Sequence, residues 1–192
     1  MKEQLQKDFE NTIRNLSLSQ KDIEIKKFSL DNFINKGFPN RREEDWKFSD
    51  LNQIINKNIG ELSFYNDYTS TNKVDTSVFV DGLVHNKIVF INGRIEKIDF
   101  DYEKKDQIEI IDQSEIINKF ENNNSLSDLN SAFTNKSFKI VVKKGYQLSK
   151  PLIIYHTTNS KIWSKNINLR LDFELQEDLS LIHISEPTRR NS

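Results

Sequence analysis

The three histidines, His85, His156 and His183, are the side chains best suited to metal binding or to proton transfer near neutral pH. Zinc needs three or four converging ligands, and none of these histidines has a neighbour at metal spacing, so each is read as structural or incidental. Glu43, Glu44 and Asp45 could hold a hard cation, but such sites bring a glycine turn and several alternating oxygen ligands. A solvated helix N-terminus, where the macrodipole favours acids, accounts for the three more simply. Asp172 and Glu174 alternate along one stretch and share a face, as a pair of carboxylates for glycoside cleavage would. One alternating pair is also ordinary solvent-facing decoration. Nucleophile elbows and phosphate-binding loops are absent, because the five glycines are scattered: Gly82 and Gly93 are placed in turns and Gly145 at a strand corner. No residue is assigned a catalytic, cofactor-binding or metal-ligating role.

The elements that would position these residues change character along the chain. Leu5, Phe9, Ile13 and Leu16 recur at helical spacing and predict a first helix. A second is expected to start at Ser29, carry Leu30, Phe33 and Ile34, and stop at Gly37 and Pro39. A third is expected to follow Ser49 and Asp50, burying Leu51, Ile54 and Ile55 before Gly60. Trp46, just ahead of it, is read as a packing residue, since tryptophan is mostly buried. Asn92-Gly93, between Lys87–Ile91 and Arg94–Ile98, is a strong hairpin signal because both residues accept the positive φ of a type I′ turn. Ile108 to Ile111 reads as a strand. Short helices are expected from Ser114, with Ile116, Ile117 and Phe120, and over Leu126, Leu129, Ala132 and Phe133. Strands then follow at Phe138–Val142, Leu152–His156 and Leu169–Leu175, joined by polar turns without helices. That spacing fits an antiparallel sheet or the first coils of a parallel β-helix.

Composition narrows the function classes. Of 192 residues, 30% are charged and 35% hydrophobic, as in a folded soluble domain. The 28 basic and 29 acidic residues nearly cancel, which removes the electrostatic case for nucleic acid or a polybasic membrane anchor. No apolar run approaches the roughly 20 residues of a membrane span, the first residues lack the apolar core of a secretory signal, and there is no cysteine for disulfides or thiolate metal sites. A cytoplasmic location is the resulting expectation.

Two stretches carry a resemblance. In the first, Gly37-Phe38-Pro39 leads into Arg41-Arg42-Glu43-Glu44-Asp45-Trp46-Lys47-Phe48-Ser49-Asp50-Leu51. The second is Leu129-Asn130-Ser131-Ala132-Phe133, continuing through Phe138–Gly145 to Leu148-Ser149-Lys150-Pro151-Leu152. Phe90-Ile91-Asn92-Gly93 lies between them. In order and type these resemble the SufD branch of the SufB/SufD family of iron–sulfur cluster assembly proteins, over about Phe38 to Leu175. Arg41, Glu44, Trp46, Lys47, Phe48, Ser49 and Leu51 match the family's amino-terminal signature position by position. Asn92, Gly93, Leu129, Asn130, Ala132, Phe133 and Pro151 match its later motifs.

The resemblance implies an α+β chain: a helical domain (1–65), a mixed segment with the 88–98 hairpin and short helices (66–136), and the start of a right-handed parallel β-helix (137–179), truncated. It implies a non-catalytic scaffold that pairs with SufB through the β-helices. The ATPase SufC would be held by a carboxy-terminal region beyond this sequence, and the complex would assemble Fe–S clusters while this fragment binds no cofactor itself. Residues 180–192 resemble translated sequencing-adapter DNA and are expected to be non-native. The alternative from another class is a β-helical carbohydrate-active or carbohydrate-binding module.

Overall fold

The computed structural model describes residues 2–14, 16, 18–58, 62–65, 72–113, 124–159, 162 and 165–176. The predicted helix from Ser114, the 180–192 tail, Gly60 and His183 lie outside the described residues.

The amino-terminal part is helical. Helix α1 (Lys2–Arg14) buries Leu5 and Phe9, as their spacing predicts, while Leu16 falls beyond its end. Helix α2 spans Gln20–Lys36 and begins nine residues earlier than Ser29. Its N-cap is Ser19, whose Oγ accepts from the Asp22 amide at 3.1 Å. Ser29 lies buried in mid-helix, because the inner face of α2 carries Asp22, Lys26 and Ser29 as well as Leu30 and Phe33. Those polar residues hide the apolar period of its first half. Gly37, at φ 75°, ends the helix where predicted, and its amide donates to the Phe33 carbonyl at 2.7 Å. Helix α3 (Leu51–Asn58) starts after Asp50, whose carboxylate accepts from the Gln53 amide at 3.0 Å. Ile55 enters the core, whereas Ile54 is exposed, contrary to expectation.

Helix α4 (Ser125–Phe133) is capped by Asn124 and delivers Ala132 and Phe133 into the same core as Leu5, Phe9, Leu30, Phe33, Ile55 and Phe64. Phe133 stacks on Phe64 with centroids 3.6 Å apart and meets Phe9 edge-on at 6.0 Å. The helical core therefore runs across the 65 limit drawn from sequence and is closed by α4.

Six strands build two sheets: β1 (Asn86–Ile91), β2 (Arg94–Asp99), β3 (Ile108–Gln113), β4 (Lys136–Val142), β5 (Leu152–Thr157) and β6 (Leu169–Leu175). One sheet has the order β2-β1-β5 and the other β3-β4-β6. In each, an antiparallel strand flanks one side of a parallel pair: β1·β5 in the first sheet, β4·β6 in the second. The sheets face one another across Ile88, Phe90, Phe138 and Ile140, with Ile110, Ile154 and Leu171 closing the layer. Leu169 and Leu171 point into this layer, as the alternation in β6 predicts. The chain is thus mixed α+β, with four α-helices and two small sheets among the described residues.

The hairpin forms where Asn92-Gly93 places it, with φ of 52° and 80°. An extra residue bulges β2 opposite Val89 and Phe90, so that Glu96 turns inward and accepts from the amide and the side chain of Asn72. The outer face of the first sheet is covered by Val74, Val78 and Phe79, which pack on Val89, Ile91 and Tyr155.

Candidate functional site

The residues singled out by resemblance occupy three separate places. Leu129, Ala132 and Phe133 lie on α4, in or against the helical core, which Leu51 also reaches. Asn130, on the same helix, accepts from the Asn168 side chain at 3.1 Å and donates to the Leu169 carbonyl at 3.4 Å, tying α4 to the start of β6. Pro151 precedes β5, and its carbonyl accepts from the Asn86 amide at 2.8 Å, opening the β1·β5 ladder. Asn92 and Gly93 make the hairpin turn. The buried Asn92 side chain donates to Asn159 at 3.0 Å and accepts from the Asn159 amide at 3.1 Å, so one corner residue locks the corner beside it. These are structural duties.

Arg41, Glu44 and Lys47 differ. They lie on the surface, in a turn built by backbone hydrogen bonds rather than by side-chain packing: Glu43 to Asn40, Trp46 to Glu43, Lys47 to Glu44 and Ser49 to Trp46, at 2.8 to 3.3 Å. The Asn40 amide donates to the Glu43 carboxylate and the Arg42 amide to the Asn40 side chain, bracing the turn further. Glu44 to Trp46 forms a single 3-10 turn. Trp46 is only half-buried and Phe48 is 91% exposed. The motif that most marks the sequence is thus an ordered, solvent-facing turn.

No acid–base pair or ligand cluster emerges elsewhere. Among the described residues, no group of three or more His, Cys, Asp or Glu could hold a metal ion. His85 is buried: Nδ1 faces the Leu83 carbonyl at 2.6 Å and Nε2 the Tyr155 hydroxyl at 2.7 Å. With its proton on Nδ1, the ring donates to Leu83 and accepts from Tyr155, which in turn accepts from the Val80 amide at 3.1 Å. His156 lies flat on Phe90, centroids 4.8 Å apart, and lost hydration lowers its pKa. Asp172 and Glu174 share the outer face of β6, but Asp172 is held by Arg170 at 2.9 Å and Glu174 by Lys139. A groove of about 640 Å³ between α1 and α2 is floored by Phe9, Ile13, Ile23 and Leu30 and rimmed by Glu10, Arg14, Lys27 and Asp31.

Two of the buried charges, Lys26 and Glu103, carry no mark in the sequence. Lys26, 1% exposed, reaches from α2 to the carbonyls of Ser131, Ala132 and Thr134 at the C-terminal end of α4, where the helix dipole favours a cation. Burial nevertheless pulls its pKa down to about 8, against the opposing pull of Asp22. In the run Lys21-Asp22-Ile23-Glu24-Ile25-Lys26-Lys27, only the helical phase separates Lys26 from its exposed neighbour Lys27. Glu103, in the connection after β2, accepts from Asn86 at 2.7 Å, Tyr146 at 2.7 Å, Ser149 at 3.0 Å and Lys150 at 3.1 Å. Burial alone would raise its pKa; the donors, led by Asn86 and Ser149, outweigh that and bring it to about 2. Glu103 thereby pins the β4–β5 connection to the start of β1.

No family model matches the chain, and no curated protein matches it.

Proposed function

We propose that this chain is a scaffold of the SufD type, a non-catalytic partner in iron–sulfur cluster assembly in the cytoplasm. The observation that carries the reading is the strand order: β1, β4, β5 and β6 alternate between two facing sheets, each later strand lying parallel to the one two places before it. We read that order as two successive coils, with β2 and β3 as antiparallel additions at one side. It agrees with the β-helix that the motif resemblance implies. Aromatic stacking of Phe90 on His156, in register across β1·β5, is the kind of side-chain ladder that stacked coils make. On this reading the coils serve as a rigid platform for SufB, and SufC is recruited through the assembled complex. Asp172 and Glu174, each ion-paired to a neighbouring cation, lend the carbohydrate-active alternative no support of their own.

Co-expression with tagged SufB and, separately, with tagged SufC tests this. SufB is expected to retain the chain, and SufC alone is not. Failure of SufB to capture a folded chain, or direct capture by SufC, overturns the reading. Incubation of the isolated chain with iron and sulfide is expected to leave no cluster absorption on the protein.

A further inference from the structure

We propose that the corner where α4 meets β4 and β6 is an internal hydration site, holding one ordered water between the side chains of Asn135 and Asn168. Asn135 lies between the end of α4 at Phe133 and the start of β4 at Lys136, and Asn168 stands immediately before β6. Lys136 pairs with Leu169 in the parallel β4·β6 ladder, so the two asparagines enter it side by side, on strands about 4.8 Å apart. The side-chain oxygen and nitrogen of Asn135 and the side-chain oxygen of Asn168 are withdrawn from solvent and have no hydrogen-bond partner among the described residues. Buried amide groups are rarely left so, and an internal water is the usual partner where the protein supplies none.

The neighbours fix which way the Asn168 amide faces. The Leu169 carbonyl can only accept, so Asn130 turns Nδ2 towards it, at 3.4 Å. That leaves Asn130 Oδ1 for Asn168, which donates to it through Nδ2 at 3.1 Å. Reversing either amide would set two acceptors against each other. Asn168 Oδ1 is therefore an acceptor in need of a donor, and the three orphaned atoms are two acceptors and one donor. A single water has the matching complement of two hydrogens and a lone pair. It closes a ring with the Asn135 amide, accepting from Nδ2 and donating to Oδ1, and gives its second hydrogen to Asn168 Oδ1. Three hydrogen bonds is the usual number for an internal water. Two oxygens and an N–H are too few, and of the wrong kind, for a calcium or magnesium ion. The water completes a path from Asn130 on α4 through Asn168 to Asn135, and so ties the start of β6 to the join between α4 and β4. The inference does not depend on the scaffold reading.

High-resolution crystallography of the full chain is the test. Water density is expected within about 2.7–3.2 Å of Asn168 Oδ1 and of both polar atoms of the Asn135 amide. In solution, the side-chain amide hydrogens of Asn135 and Asn168 are expected to show nuclear Overhauser contacts to a long-lived water. Asn135→Leu is expected to lose that contact at Asn168 while Asn168 keeps its hydrogen bond to Asn130. Should the variant fail to fold, the wild-type chain decides alone. A direct hydrogen bond between Asn135 and Asn168, a corner without ordered water, or an Asn135 side chain turned to a different partner overturns the proposal.

Discussion

At the residue scale, the buried charges of Lys26 and Glu103 give opposite pH windows. The proton on Lys26 is bound more weakly in the folded chain, about 8, than at the ordinary 10.5. Below about 8 both states hold it, and the folded state carries the full cost of burying the charge. Between about 8 and 10.5 the folded state sheds it first, so stability rises with pH across that window. Lys26→Met, which keeps the stem and removes the charge, is expected to abolish the rise; urea midpoints on either side of the window measure it. Glu103 works at the acid end. Its pKa is depressed from 4.5 to about 2, so its contribution is complete above 4.5 and is lost as pH falls through about 2. Glu103→Gln is expected to flatten that part of the acid-unfolding curve. Neither residue was legible in the sequence, because a charged side chain is marked as buried only by what lies opposite it. For Lys26 that is a helix end about a hundred residues away. Trp46, which its size marks as a packing residue, is half-buried in the turn before α3.

Elements were legible where one local cause dominates. The Asn92-Gly93 turn is marked in the sequence by backbone sterics, and it stands where two adjacent positive-φ residues put it. Gly93→Val is expected to cost about 1–2 kcal/mol, measured by denaturant unfolding, and to speed amide exchange along Arg94–Asp99 before the rest of the sheet. Strand β6 was legible for a related reason: its period of two survives because Leu169 and Leu171 face the apolar layer between the sheets. Helix α2 was half-legible. Leu30 and Phe33 mark its second half, but its first half buries Asp22 and Lys26, and a hydrophobic period cannot reveal a face that is polar by design. Ile54 failed in reverse, since a short helix at the surface has room for only one of two adjacent isoleucines in the core.

For the whole molecule, the join between the helical and stranded parts is α4. It fills the helical core with Ala132 and Phe133, receives Lys26 at its C-terminal end, and leads into β4 after two residues. Phe133→Ala is expected to cost about 3–5 kcal/mol and to lower the thermal midpoints of helical and stranded amides together. Hydrogen exchange resolved by segment is the check; a strand unit that keeps its wild-type protection while α1 and α2 open would show two independent units instead. This dependence could not be read from sequence, where the helices before residue 65 looked sufficient to close their own core. What α4 adds is visible only in the stack of Phe133 on Phe64.

The unlike sides of the paired sheets give the molecule a polarity. On one side the antiparallel strands β2 and β3 occupy the ladder positions beside β1 and β4, and a chain continuing the same winding would meet neighbours running the wrong way. On the other, β5 and β6 present outward-facing amides and carbonyls of the correct direction, with no strand beyond them among the described residues. His156 lies there as a loose lid on Phe90, and Phe173 is 40% exposed. The stack therefore carries edge strands on both sides, antiparallel to their neighbours at β2 and β3 and parallel to them at β5 and β6, and further strand pairing at either edge is governed by that difference in direction.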